Sequence, residues 1–244
     1  MSLDKEPKVA VIMSAYNVEN YIDKAIESVA KDKYSNKTLF IYNDGSTDKT
    51  SNVIKETLFK CEKLNSVYIP CENNIGLSKG RNVLIKSAWN YADYFLILDG
   101  DDQFIGEDKI TKMISVAESQ SDLIGVVYCD YQNWHEKDGK IVREYKRGFS
   151  RSELINECIL SDSGTLVSKK AYEKVGFYDE SLKVGMDYDM WLRISEHYLI
   201  YHIPECLTQV TIRSGSLSSD PKNSEVWKNN VRRVYEKLFE RTSR

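Results

Sequence analysis

Tyr94-Phe-Leu-Ile-Leu-Asp-Gly-Asp-Asp102 sets five consecutive apolar residues before three acids in four positions. The apolar run has the length and composition of a parallel strand covered on both faces. In an open α/β sheet the ligand-binding edge lies beyond the carboxyl ends of the strands, so the acids stand where a ligand belongs. Working outward, Val9-Ala-Val-Ile-Met13 is a second such run, stopping at Ser14-Ala-Tyr-Asn17. Tyr21, Ile22, Ala25, Ile26 and Val29 then recur at helical spacing, with Glu19 or Asn20 as caps, and Thr38-Leu-Phe-Ile-Tyr42 returns to strand composition. Asn43-Asp-Gly-Ser-Thr-Asp48 is a turn into a helix over about 48–63, with Asp48 its cap; Val67-Tyr-Ile69 is a short strand and 77–90 a third helix. Strand and helix alternate, which predicts a mostly parallel α/β sheet with right-handed crossovers.

Beyond residue 105 the pattern loosens. The sequence predicts helices near 107–119, 169–175 and 187–197, strands near 124–131, 164–168 and 200–203, and a last amphipathic helix carrying Val226, Val231, Val234, Tyr235 and Leu238. Trp134–Ser152, charged and bracketed by Gly139 and Gly148, reads as a mobile loop over the second half or as a plain surface hairpin. No repeat or linker divides the chain. We therefore expect one domain over 1–220, with a nucleotide-type half at about 7–105 and an acceptor-type half at about 106–220, followed by the 221–244 helix.

Composition removes several function classes. Apolar residues are 41% of the 244 and charged residues 29%, enough for a packed core and too balanced for disorder. Lysine and arginine total 34 against 37 acids, with no basic block to track a phosphate backbone, so nucleic acid is not the expected partner. Five widely spaced cysteines without a C-x-x-C pair imply neither a disulfide framework nor a zinc site. Read as reduced thiols, and with no targeting segment visible, they point to the cytoplasm, with room for peripheral work at the inner face of a membrane. No apolar run approaches the roughly 20 residues that span a bilayer.

The chemistry follows from the four strand-end loops. Asp99, Asp101 and Asp102 crowd like charges that raise one another's pKa unless a cation compensates them. Oxygen ligands without nearby His or Cys favour Mg2+ or Mn2+, which keeps positions open for substrate phosphate oxygens. The implied ligand is a diphosphate. No G-x-G-x-x-G follows the first strand and no G-x-x-x-x-G-K-[ST] occurs, against a dinucleotide dehydrogenase and a P-loop ATPase.

Val9-Ala-Val-Ile-Met-Ser-Ala-Tyr-Asn17, Asn43-Asp-Gly-Ser-Thr-Asp48, Asn74-Ile-Gly76 with Arg81-Asn82, Leu98-Asp-Gly-Asp-Asp102, Gly176-Phe-Tyr-Asp-Glu180 and Asp187-Tyr-Asp-Met-Trp-Leu-Arg193 occur in an order that resembles family 2 glycosyltransferases of the GT-A fold. The resemblance implies a Rossmann-like, mostly parallel sheet flanked by helices, a nucleotide-sugar donor, a divalent metal and inversion at the anomeric carbon. It places Ser14 and Tyr16 in the base pocket, Asp44 on the base edge and Arg81 facing the nucleotide. Asp99 and Asp101 match the D-x-D pair, the earlier carboxylates toward ribose and the later toward the metal, with Asp101 and Asp102 both open as the main ligand. Asp187 is the implied base that deprotonates the acceptor hydroxyl. Asp189 is the weaker alternative, because two positions on it points away along a helix.

Two positions depart from that pattern. Met186 stands where an acid usually precedes Asp187, removing a charge that would orient acceptor or base. Arg213, in Arg213-Ser-Gly-Ser-Leu-Ser218, stands where a His is common; its fixed fork of donors suits a diphosphate. His135, His197 and His202 form no useful spacing, and Trp191 suits a core position as well as a sugar platform. The expected activity is transfer of a sugar, UDP-linked by preference, to a hydroxyl of a glycan or lipid-linked glycan in bacterial surface polysaccharide assembly. Two rival readings are a sugar-phosphate nucleotidyltransferase, which would need a G-x-G-T-R-like loop, and a non-catalytic carbohydrate-binding or scaffolding protein on the same fold.

Overall fold

A computed structural model describes residues 6–120, 122–146, 148–216 and 223–243. The chain runs β1 (Val9–Ala15), α1 (Ile22–Lys31), β2 (Lys37–Asp44), α2 (Thr50–Lys60), β3 (Ser66–Cys71), α3 (Leu77–Ala88), β4 (Tyr94–Asp99), β5 (Gln103–Phe104), α4 (Lys109–Ser119), β6 (Ile124–His135), β7 (Ile141–Glu144), α5 (Arg151–Asn156), β8 (Leu166–Ser168), α6 (Lys169–Val175), α7 (Met186–Ser195), β9 (Leu199–Ile212) and α8 (Asn223–Thr242). One nine-stranded sheet holds them in the order β3-β2-β1-β4-β8-β6-β9-β5, with β7 hairpinned onto β6. β1 to β4 are mutually parallel, β8 is antiparallel to both neighbours, and β9 lies parallel to β6.

The strand composition explains the layers. Val9, Val11 and Met13 of β1 face one core with α1 and α4, while Ala10 and Ile12 face the other with α3, α6 and α7. Both sets are buried, which is why β1 reads as an unbroken apolar run rather than an alternating one. The chain winds outward from β1 to β3 and then returns through α3 to β4 on the other side of β1. Strand order therefore reverses between β1 and β4, and a crevice opens at their carboxyl ends. Register puts Ser14 opposite Asp99 there.

Local expectations were met unevenly. Asp48 accepts from the Thr50 N–H at 2.9 Å in the turn that leads into α2, but Lys49, not Asp48, occupies the cap position, and no side chain caps that helix. α1 has no side-chain cap from Asn20 or Glu19; Glu19 instead accepts from Lys49 N–H at 2.8 Å, at the start of α2. Trp134–Ser152 holds the end of β6, the β7 hairpin and the start of α5, as the hairpin reading expects. α8 docks through Val234 and Leu238, and Lys237 bridges Asp179 at 3.0 Å and Asp189 at 2.8 Å. Among the described residues no helix is long and apolar enough to cross a membrane, and all five cysteines are free.

Candidate active site

Asp99 ends β4 beside the end of β1, and the Gly100 N–H donates to the Ser14 carbonyl at 2.9 Å. A Cβ at Gly100 would lie 2.9 Å from Ile22 Cδ1 and 3.0 Å from the Ser14 oxygen, so any side chain there forces Ile22 or the end of β1 to give way. The Asp99 carboxylate is held from below. Arg81 of α3, only 1% exposed, donates from Nη2 to Asp99 Oδ1 at 2.7 Å, and its other terminal nitrogen pairs with Asp162. Asp162 in turn accepts from the Tyr178 hydroxyl at 3.1 Å. Burial works against the Arg81 charge, but Asp99 overrides it and holds the guanidinium protonated above the ordinary arginine range. Arg81, expected to face a nucleotide, is buried beneath the Asp99 carboxylate it pairs with.

Asp101 and Asp102 diverge. Asp101 Oδ2 accepts from Arg213 Nε at 2.7 Å, with both side chains near the surface. Asp102 is 4% exposed, and its Oδ1 accepts from the Thr211 N–H of β9 at 2.9 Å. Burial pushes both carboxyls up, and the neighbouring acids add to it: Asp99 for Asp101, Asp101 and Asp99 for Asp102. The mutual repulsion expected from the sequence is present, second to burial.

These donors suit one kind of ion. Asp99 and Asp101 bracket Gly100 with side chains 30% and 16% exposed, while Asp102 is turned to the sheet. Among the described residues no three His, Cys, Asp or Glu side chains converge into a closed metal site. Asp101, more exposed than Asp102, can offer a carboxylate oxygen to a hard divalent ion whose remaining positions are completed by phosphate oxygens and water.

The other walls come from neighbouring loops. Tyr16 follows β1 with 45% of its surface exposed, its ring open to a ligand. Asn17 adopts φ 51°, a conformation Asn tolerates, and accepts from the Thr47 N–H at 2.9 Å, tying the β1 and β2 loops together. Asp44 is buried, and its two oxygens accept from Ile75 N–H at 2.8 Å and Gly76 N–H at 2.9 Å. It therefore fixes the turn into α3, a task its sequence position did not announce.

On the far side, Gly185 takes φ 73° before α7 and puts Asp187 in the first helical turn. Burial pushes the Asp187 carboxyl up, Arg81 pulls it down and Asp99 raises it again, so all three groups share one field. The positive end of the α7 dipole favours the ionised form. Asp189 is fully buried between Arg193 at 2.8 Å and Lys237, pointing away from Asp187 as its spacing predicted. Met186 is 3% exposed and packs in the core, so it presents nothing to an acceptor. Trp191 is likewise core.

Sequence reasoning missed Asp162, Ser163 and Tyr21. Ser163 Oγ accepts from the Asp99 N–H at 3.2 Å, and the Tyr21 ring lies 5.4 Å from the Arg213 guanidinium. Asp162 and Ser163 sit in a short polar turn that only the β4–β8 pairing brings to Asp99. Leu217 and Ser218, the end of the last motif, lie outside the described residues.

The chain is similar in sequence and fold to known proteins. A protein from Rickettsia typhi described as an uncharacterized glycosyltransferase is 29% identical over 208 residues, 81% of this chain and 62% of its own length, so the chain spans under two thirds of that relative. The crystal structure of Staphylococcus aureus TarS 1–349 in complex with UDP-GlcNAc superposes with a TM-score of 0.72 at 21% identity, covering 87% of this chain and 61% of that one. The Pyrobaculum calidifontis mannosyltransferase PcManGT in complex with GDP-Man and Mn2+ gives 0.69 at 14% identity, covering 87% and 59%. The fold is thus that of the GT-A glycosyltransferases. The family pattern for glycosyl transferase family 2 matches residues 10–176, more than half of the chain, and on that match the protein belongs to glycosyl transferase family 2.

Proposed function

We propose that this chain is an inverting glycosyltransferase that moves a sugar from a nucleotide-sugar donor, UDP-linked by preference, to a hydroxyl of a glycan or lipid-linked glycan in bacterial surface polysaccharide assembly. The observation that carries the reading is that Asp99 ends β4 opposite Ser14 of β1, with Asp101 two residues on, while Asp187 in the first turn of α7 lies close enough to feel the charges of Asp99 and Arg81. TarS with UDP-GlcNAc supports a uridine donor, although PcManGT with GDP-Man shows that this fold accepts another base.

Each side chain has one task. Tyr16 offers its ring to the base, Ser14 lines that pocket, and Asp44 fixes its floor through the 75–76 turn. Asp99, aimed by Arg81, binds ribose. Asp101 is the better metal donor than Asp102, because it is the more exposed and Asp102 is engaged by the β9 backbone. The negative charge that builds on the departing diphosphate is met by Mn2+ or Mg2+ when one is bound. Arg213 adds a permanent positive charge to the same oxygens. Asp187 takes the acceptor proton from the sugar face opposite the diphosphate, a positioned-base effect of about 10²–10⁴-fold.

The test is donor hydrolysis. UDP release from UDP-sugars with Mn2+ is expected from the wild type, and Asp187→Asn should abolish release while UDP still binds. A wild type that binds glycans yet neither binds nor cleaves any nucleotide sugar would make the chain a carbohydrate-binding protein instead.

A further inference from the structure

Asp101 and Tyr21 hold the Arg213 side chain. Its Nε donates to Asp101 Oδ2 at 2.7 Å, and its guanidinium stacks over the Tyr21 ring at 5.4 Å. The Tyr21 hydroxyl bonds Glu136, whose own N–H donates to the carbonyl of Ile212, the residue before Arg213, at 3.0 Å. Asp101 is the carboxylate that also has to receive a divalent ion. One carboxylate cannot give the same oxygen fully to two cations, and guanidinium and ion repel at that distance.

Resting on the reading above, we propose that Arg213 is a built-in counter-cation that a divalent ion displaces from Asp101, with Tyr21 as the positioning residue that keeps it within reach of the incoming diphosphate. Ion binding and the transfer of Arg213 from carboxylate to phosphate are then one exchange. Before the donor arrives Arg213 neutralises Asp101, and afterwards it neutralises the leaving group. The Tyr21 face provides the cation–π surface on which the guanidinium pivots, because that attraction depends on the ring and tolerates a change of direction.

The exchange has an opposite-sign signature that a merely structural arginine lacks. Arg213→Met removes the competitor, so Mn2+ alone, followed by loss of its free electron-spin-resonance signal, should bind about ten-fold tighter than to the wild type, the scale of a close charge pair that is only partly solvated. The same variant should bind UDP without metal more weakly, by calorimetry. Arg213→Lys keeps the charge and should leave Mn2+ binding near the wild-type value. Tyr21→Phe keeps the ring and should behave as wild type, whereas Tyr21→Leu should move both affinities partway toward Arg213→Met. Mn2+ binding that is unchanged, weaker or absent in Arg213→Met overturns the exchange. Should that variant fail to fold, Tyr21→Leu decides by the same two readouts. A wild type that binds no UDP under any condition fails the donor reading, while the Mn2+ comparison still judges the exchange.

Discussion

Arg81 reaches Asp99 at 2.7 Å from beneath while almost wholly shut away from solvent, and its other terminal nitrogen pairs with Asp162. A buried cation between two carboxylates is expensive to break on one side only, because the surviving charges are left without compensation. Arg81→Met should therefore cost about 3–5 kcal/mol in urea unfolding. Arg81→Lys keeps the charge but has no fork to span both acids. It should fold more stably than Arg81→Met and still bind UDP more weakly than the wild type, because Asp99 loses its fixed direction. Equal UDP affinity in Arg81→Lys and wild type would detach Asp99 from donor binding.

Gly100 makes the second test. A methyl group there meets the Ser14 carbonyl at 3.0 Å and Ile22 Cδ1 at 2.9 Å, and the backbone oxygen cannot rotate away. Gly100→Ala should cost about 1–3 kcal/mol as an overpacking change and push the acidic loop off β1. UDP affinity should fall with it. Gly139→Ala, at a hairpin tip with open space around it but φ +68°, is the control: strained locally, it should leave UDP affinity unchanged.

What could be read beforehand divides along physical lines. β1, β2 and β4 announce themselves because both faces are buried, which makes each strand an unbroken apolar run. β9 shows only its first residues in the sequence. Pro204 cannot donate to the ladder, and the register with β6 slips where Ile203 is opposite Cys129 and Cys206 opposite Asp130, so the pattern breaks mid-strand. β5, with two residues, and α5, with six, are too short to show a period. Ser14, Asp99 and Asp101 were legible because they terminate legible strands. The place of Arg81 was not, since an arginine on a helix becomes interior only through Asp162, a partner that tertiary pairing supplies. Met186 carried a functional expectation from its place in a motif, and its side chain points into the core.

Acid should loosen α8 first. Although burial works against it, the Asp179 carboxyl is held down to about 2 by hydrogen bonds from Ser181 and by Lys237. A carboxyl lower in the folded than in the unfolded chain stabilises the fold fully above its ordinary value of 3.8, and the gain is lost as pH falls toward about 2. Urea midpoints taken in steps across that window should fall for the wild type. Asp179→Asn should begin lower at neutral pH and fall less steeply, since its contribution is already gone. Parallel slopes in the two proteins would remove Asp179 as the acid-sensitive tether.

Asp187 has the opposite sign, and that separates a base from an acid that only favours the positive end of α7. Burial raises its carboxyl above the ordinary value even with Arg81 opposing, so between the two values the folded chain holds a proton that the unfolded chain has released. Its contribution to stability therefore grows as pH falls through the raised value, and at neutral pH its ionised form is a cost to folding. A base must be ionised to accept a proton, so turnover should fall on the acidic side at a pH above the carboxyl's ordinary value of 3.8. Asp187→Asn should remove turnover while matching or exceeding wild-type stability at neutral pH. An acid serving only the helix start would do the reverse, losing about 0.3–1 kcal/mol of stability when replaced and leaving turnover intact. Measuring kcat and the urea midpoint on the same preparations, from pH 5 to 8, decides between them.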